Sequence, residues 1–158
     1  MRLTLKRIVT HPYAALMLRL YVAGLFIYAG MVKINYTAEF AETIASYGMV
    51  PHWGVNPMAV SMPWIELISG ILLLCGIRVR SAIVVIGALL AMFTAGIAVN
   101  LILKTPIDCG CFHTLGDTIS WKTLVRDLIW IAMAVHIYYY DRYFRLELKF
   151  DGLAREMQ

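Results

Sequence analysis

The sequence predicts an all-α protein: a membrane four-helix bundle with both termini in the cytoplasm and a short interfacial helix in its first outer loop. Of the 158 residues, 61% are hydrophobic and only 15% are charged, and the mean hydropathy is +0.72. The apolar residues concentrate in four blocks, each long enough to cross a hydrocarbon core of ~30 Å. No block carries the polar stripe of a soluble amphipathic helix, so the pattern disfavours a soluble bundle.

The four apolar blocks are the expected membrane-spanning helices of one domain that covers residues 1–158. They run over about 13–35, 57–77, 80–103 and 121–140. The first block follows basic residues, as the apolar part of a signal peptide does. It is too long for one, contains Arg19 and has no small-residue cleavage site after it, so we expect it to remain as the first membrane helix.

The distribution of Lys and Arg predicts the orientation of these helices. Basic residues concentrate in the N-terminal segment, in the turn at Arg78 and Arg80, and in the C-terminal tail. Segments 36–56 and 104–120 are poorer in basic residues and carry several acidic ones. Both termini are therefore expected in the cytoplasm of a bacterium, with the two segments on the periplasmic side of its inner membrane. The net charge of +4 is dispersed and gives no indication of nucleic-acid binding.

The first outer segment contains a helical pattern. Phe40, Ile44 and Tyr47 are spaced i, i+4, i+7, which predicts a short helix that lies along the outer interface. Pro51 is expected to end it.

The first membrane helix carries two charged residues on one face. Arg19, Ala23, Phe26, Gly30 and Lys33 follow one another at steps of three and four residues. Small residues on the same stripe as the charges predict that this face points into the bundle, where helix backbones approach closely.

Further charges lie in the second and fourth blocks. Glu66 shares a face with three smaller or apolar residues, Ser69, Gly70 and Leu73. Arg126 and Asp127 lie in the outer half of the fourth block, and Trp130 and Ala134 are on the side of Asp127.

An unpaired charge in the bilayer costs at least ~2.5–3.5 kcal/mol on insertion scales, so these residues are expected to pair. The favoured pair is Arg19 with Glu66, while Lys33 and Arg126 compete for Glu66 or Asp127. Two interpretations stay open for the pairs. They are either structural ion pairs that set helix register, or the polar lining of a quinone head-group site or proton path. No motif in the chain identifies a cofactor.

The stretch DCGCFH, residues 108–113, is the strongest chemical signal in the chain. Cys109 and Cys111 are separated only by Gly110. A disulfide in so short a ring stabilises a fold only weakly, because it closes a small loop and is strained. It is a reasonable redox couple in the periplasm, where disulfides form and persist. A thiol–disulfide oxidoreductase is therefore one candidate activity.

Two other interpretations of the cysteine pair remain. Cys109, Cys111 and His113 would form a metal site, with His52 as a fourth ligand for zinc, and nearby methionines would suit copper(I). The pair is otherwise structural or inert, in a chain that acts as a non-catalytic assembly subunit. Cys75, the third cysteine, is expected to be a small core residue.

Several stretches together resemble the MauE branch of the DoxX-like integral membrane proteins. They are RLYVAGLFIYAGMVK from Arg19, the outer-segment residues Phe40, Tyr47 and Pro51, PWIELISGILLLCG around Glu66, DCGCF, and WKTLVRDL at the start of the fourth block. The resemblance covers about residues 13–140. The chain differs from the family pattern at His113, where glycine is usual, and at Lys104-Thr105-Pro106, where Arg-Gly commonly precedes the cysteines.

The resemblance implies a four-helix membrane protein linked to periplasmic redox chemistry. Family members are associated with methylamine utilisation, in which a thioredoxin-like partner takes part in disulfide formation during maturation of methylamine dehydrogenase. Other relatives are linked to quinone-coupled reactions. The resemblance therefore implies Cys109 and Cys111 as the catalytic pair, a periplasmic thioredoxin-like partner and a quinone as a possible cofactor.

Overall fold

The computed structural model describes residues 12–103 and 121–141. These residues form five α-helices and contain no strand, which confirms the all-α prediction for this part of the chain. The helices are α1 (Pro12–Asn35), α2 (Thr37–Ser46), α3 (His52–Cys75), α4 (Val79–Leu103) and α5 (Trp121–Tyr140). Among them, α1, α3 and α4 are long and apolar enough to cross a membrane by length and composition. The predicted site residues Cys109, Cys111 and His113 lie outside the described residues.

The helix boundaries agree with the sequence prediction except at α3, which begins at His52 rather than at residue 57. Pro51 is the N-cap of α3, with an extended backbone (φ −62°, ψ 149°), and Pro57 lies inside the helix. The expectation that Pro51 ends the preceding short helix is therefore wrong. That helix, α2, ends at Ser46, and Gly48 makes the following turn in the left-handed region (φ +66°).

A tight turn joins α3 to α4. Gly76 caps α3 in the left-handed conformation (φ 73°), and its N–H donates to the Leu73 carbonyl at 3.3 Å. The N–H of Ile77 donates to the Leu72 carbonyl at 3.0 Å, so two carbonyls of the last turn of α3 are satisfied. The turn brings α4 back beside α3 in the opposite direction.

The closest helix contact joins α1 and α3. A Cβ atom added at Gly30 would lie 2.8 Å from the Pro63 carbonyl oxygen, and one added at Gly70 would lie 3.0 Å from the Ile27 backbone nitrogen. Glycine is therefore required at both positions, and the two helices run antiparallel in a fixed register. Helix α3 also contacts α2 and α4, and α5 contacts α1 and α4.

These contacts define two ends of the molecule. The Lys33 end holds the C-termini of α1 and α4, the whole of α2 and the N-termini of α3 and α5. Gly96 of α4 faces Tyr47 and Met49 there. The Arg19 end holds the α3–α4 turn and the C-terminus of α5. Leu103 and Trp121 both lie at the Lys33 end, and segment 104–120 connects them in sequence.

Candidate functional site

The predicted polar face of α1 points into the protein. Arg19, Ala23, Phe26, Gly30 and Lys33 are all buried, as the i, i+3, i+4 spacing predicted. The partner faces are also as predicted, because the residues around Glu66 and around Asp127 are buried; they are Ser69, Gly70, Leu73, Trp130 and Ala134. Four charged residues from three helices therefore lie in the interior: Arg19, Lys33, Glu66 and Asp127.

Lys33 pairs with Glu66. The Lys33 ammonium donates to Glu66 Oε1 at 2.6 Å, and the side chains are only 6% and 2% exposed. The ammonium also lies over two aromatic rings, 4.9 Å from the centroid of Phe40 and 4.5 Å from that of Phe93. Charge, hydrogen bonding and cation–π attraction together stabilise an ammonium that has been removed from solvent.

The favoured pairing of Arg19 with Glu66 is wrong. Gly30 of α1 lies against Pro63 of α3, and this register brings Glu66 to the level of Lys33. Arg19 is fourteen residues earlier in α1, about 21 Å away along the helix. The sequence contains no information on the axial offset between α1 and α3, and this offset sets the level of Glu66 against α1.

Arg19 pairs instead with Asp141, a residue that the sequence interpretation did not select. Its Nη1 donates to Asp141 Oδ2 at 3.0 Å, and the side chains are 3% and 0% exposed. Asp141 follows the last residue of α5, and its N–H donates to the Ile137 carbonyl at 3.0 Å. Asp141 stands at the start of a tail of mixed polar and apolar residues, so no sequence pattern distinguishes it. The one available signal was the position of Arg19 near the start of α1, which requires a carboxylate at the same end of the protein.

Arg126 and Asp127 lie next to each other on α5 at the Lys33 end. Arg126 Nε is 3.6 Å from Asp127 Oδ1, which is an ion pair but beyond ordinary hydrogen-bond distance. The guanidinium lies over the Trp130 ring at 4.9 Å and is partly exposed, while the Asp127 side chain is 1% exposed. The sequence interpretation allowed both Lys33–Glu66 and Arg126–Asp127 as competing pairs, and both occur.

All four long helices contribute to a small cavity between these groups. Its volume is about 30 Å³. The charged residues that line it are Lys33 of α1, Glu66 of α3 and Asp127 of α5. The rest of its wall is apolar or aromatic and includes Phe93 of α4 and Trp130. Three charged side chains from three helices therefore converge on one small, mainly apolar space that is partly open.

A larger, open groove lies on the other side of Arg126, between α1 and α5. It has a volume of about 530 Å³ and is lined almost entirely by apolar surface. Tyr21, Trp121 and Trp130 supply aromatic walls, and Arg126 and Lys122 supply the positive charge.

The remaining predicted residues are not brought into this site. His52 is exposed at the start of α3. Cys75 is exposed at the Arg19 end, so the expectation that it is a core residue is wrong; it lies on the outward face of the last turn of α3. Within residues 12–103 and 121–141, no group of three His, Cys, Asp or Glu residues is placed to hold a metal ion.

Comparison with known proteins gives the family of the chain. Residues 11–140 match the model of the family described as methylamine utilisation protein MauE. The chain belongs to the MauE family. It is 37% identical over 137 residues to the MauE protein of Methylophilus methylotrophus, and the aligned region covers 84% of this chain and 72% of that protein. It is 30% identical over 128 residues to the MauE protein of Paracoccus denitrificans, and the aligned region covers 80% of this chain and 69% of that protein.

No solved structure matches the chain. Family membership and the three apolar helices together identify a multi-pass membrane protein linked to methylamine utilisation. The MauE match includes every charged residue around the cavity and also the segment with the two cysteines.

Proposed function

We propose that this chain is a membrane redox protein whose Cys109 and Cys111 exchange thiols and disulfides with a thioredoxin-like protein in the periplasm. The observation that carries the proposal is the sequence Cys-Gly-Cys in the segment between α4 and α5 of a MauE-family chain. A disulfide across three residues contributes only ~1.6 kcal/mol in the chain-entropy model. Its strained ring makes it easier to reduce than an ordinary structural disulfide, which suits a redox couple.

The exchange transfers two electrons and two protons. A thiolate of the pair attacks the partner's disulfide, forms a mixed disulfide and displaces one partner sulfur, which takes up a proton. The second cysteine then attacks the mixed disulfide as a thiolate. This step closes the Cys109–Cys111 bond and releases the partner as a dithiol, with the two protons that the pair has lost. The same steps in reverse oxidise the partner.

The proposal includes a bacterial inner-membrane topology of four spans, with both termini in the cytoplasm and the Lys33 end towards the periplasm. The exposed Arg78 and Arg80 at the α3–α4 turn support it, because cytoplasmic loops are enriched in Lys and Arg. Helix α5, the fourth span, packs against α1 and α4 and buries its Asp127 inside the protein. Reporter fusions after residues 54, 79, 115 and 158 test this topology, and a cytoplasmic signal at 115 would refute it.

A quinone is the proposed two-electron partner on the membrane side. The groove between α1 and α5 supports this role, because its size is within the range of about 300–1,000 Å³ that small-molecule sites occupy. Its apolar walls suit an isoprenoid-type ligand, and Arg126 offers a hydrogen-bond donor to a quinone oxygen. Oxidation of the pair by the quinone would give a disulfide and a quinol, with both electrons and both protons transferred.

The decisive test is the trapping of the mixed disulfide. Cys109→Ser and Cys111→Ser are made singly, and membranes are analysed on non-reducing gels and by mass spectrometry. One of the two variants should accumulate a DTT-sensitive adduct with a thioredoxin-like protein. Cys75→Ser is the matched control, because Cys75 is exposed at the Arg19 end and should leave the exchange unchanged.

Two outcomes distinguish the other function classes. If the double variant Cys109→Ser, Cys111→Ser still supports maturation of the partner enzyme, the chain is a non-catalytic assembly subunit. If anaerobically purified protein contains near-stoichiometric copper or zinc that is lost in His113→Ala, the chain is a metal-binding protein. Either result would refute thiol exchange as the role of the pair.

A further inference from the structure

Three buried oxygen atoms around the small cavity lack hydrogen bonds. Within residues 12–103 and 121–141, Glu66 Oε2 and Asp127 Oδ2 have no hydrogen-bond partner, and Asp127 Oδ1 has only the long 3.6 Å ion pair with Arg126. The two residues are each 1% exposed and line the cavity. Leaving buried polar atoms unsatisfied costs ~1–3 kcal/mol each, so these oxygens require a ligand that donates hydrogen bonds.

The charges around the cavity restrict what that ligand is. Lys33 and Arg126 contribute two positive charges, and Glu66 and Asp127 contribute two negative charges, so the set is neutral. An added cation would lie beside the Lys33 ammonium, and an added anion would lie beside two carboxylates. A neutral ligand therefore fits best. The volume of about 30 Å³ exceeds the ~10–15 Å³ that a single water needs.

We propose that Lys33, Glu66 and Asp127 bind an internal water that connects the two carboxylates. The water donates its two hydrogens to Glu66 Oε2 and to an oxygen of Asp127. Its own oxygen accepts a hydrogen bond from the Lys33 ammonium, which has three N–H donors and uses one on Glu66 Oε1. Three polar partners are typical of a buried structural water.

This arrangement is also a proton path. When the Asp127 carboxylate takes up a proton, it donates that proton to the oxygen of the water while the water passes one of its own to Glu66. The net change is one proton moved and the water restored. The path lies at the Lys33 end of the protein, where Leu103 and Trp121 also lie. It depends only on the three charged residues and the cavity, and it stands whether or not the cysteines exchange disulfides.

X-ray radiolytic footprinting with mass spectrometry tests the water site, because hydroxyl radicals formed from bound water label adjacent buried side chains. Phe26 lines the cavity and is 5% exposed, whereas Ile137 is 0% exposed and lies at the Arg19 end, away from the cavity. In the wild-type protein, Phe26 should be labelled several-fold faster than Ile137 after each rate is divided by the intrinsic reactivity of its side chain. Equal rates would mean a dry cavity and would overturn the proposal.

A filled cavity provides the second arm. Ala29 lines the cavity and is buried, so Ala29→Val adds two methyl groups without removing any charged group. The normalised labelling rate of Phe26 should then fall to that of Ile137. Ala91→Val, at an exposed position on α4, makes the same change away from the cavity and should leave the rate unchanged. Equal labelling of Phe26 in both variants would contradict the water site.

Infrared spectroscopy tests the shared proton. When the pH is lowered, a protonated-carboxyl band should appear that is lost in Asp127→Asn and shifted in Glu66→Gln, because the water links the two groups. Glu42→Gln, an exposed carboxylate on α2, should leave the band unchanged. A band that Glu66→Gln does not alter, or no such band in the wild-type protein, would overturn the proton path.

Discussion

Helix α1 carries two buried ion pairs that differ in their surroundings. The Lys33–Glu66 pair joins two helices where they pack closely, and two aromatic rings and a polar cavity surround it. The Arg19–Asp141 pair joins α1 to the residue that follows α5, and Arg19 and Asp141 each have a further interaction. The first pair is part of a polar centre with groups left to bind a ligand, whereas the second fixes the end of α5 against α1.

The difference shows that burial alone does not identify a functional charge. All four side chains are at most 6% exposed, so accessibility does not separate the two pairs. Their neighbours separate them. The Lys33–Glu66 pair lines a cavity that a further carboxylate, Asp127, also lines, whereas Arg19 and Asp141 do not line that cavity.

The largest expected effect is the loss of the counter-charge of Lys33. Glu66→Gln leaves the buried ammonium with a neutral acceptor, the two aromatic rings and the Asp127 carboxylate across the cavity, and the free energy of unfolding should fall by ~3–5 kcal/mol. Chemical denaturation in detergent micelles measures it, with Glu42→Gln as the exposed control. The double variant Lys33→Met, Glu66→Leu should recover most of the loss. A loss below ~1 kcal/mol would show that the ion pair contributes little.

The equivalent change at the other pair should cost less. Asp141→Asn removes the charge but keeps a side-chain oxygen that accepts a hydrogen bond from Arg19. The free energy of unfolding should fall by roughly 1.5–3 kcal/mol, as expected for one charge-assisted hydrogen bond. The same denaturation experiment compares the two variants. A larger loss for Asp141→Asn than for Glu66→Gln would reverse the ranking of the two pairs.

The close approach of α1 and α3 should determine how well Lys33 reaches Glu66. Gly70→Ala places a Cβ 3.0 Å from the Ile27 backbone nitrogen and 3.1 Å from the Ala23 carbonyl oxygen. Backbone atoms cannot yield as a side chain can, so the helices must separate, at a cost of about 1–3 kcal/mol. Thermal unfolding should show the loss. Gly24→Ala is the control, because its Cβ meets nothing within 4 Å, and equal stability of the two variants would refute the close-packing argument.

The smallest expected effect concerns Arg126. Its side chain is 26% exposed and lies 3.6 Å from Asp127, so the ion pair is both long and partly solvated. Arg126→Gln should lower the free energy of unfolding by about 1 kcal/mol or less. The variant should still reduce quinone-dependent oxidation of the cysteine pair, if the groove beside Arg126 holds the quinone head group. Unchanged quinone dependence would exclude the groove as that site.

Much of the architecture follows from the sequence, because membrane helices must satisfy their backbone hydrogen bonds internally. Apolar length therefore predicted α1, α4 and α5 to within a residue of their observed bounds. The spacing of three and four residues predicted which faces of α1, α3 and α5 are buried. The two cysteines were also selected from sequence, and their role remains a prediction, since they lie outside the described residues.

The tertiary structure decided how the charges pair. Arg19, Lys33, Glu66, Arg126 and Asp127 were all selected from sequence, but the favoured pair was wrong. Pairing depends on the relative depth of two helices, which the contacts of Gly30 and Gly70 set between α1 and α3. Helical periodicity repeats along each chain segment and carries no information about that axial offset. The sequence therefore determined which charges face inward, and only the packed helices determined which charges meet.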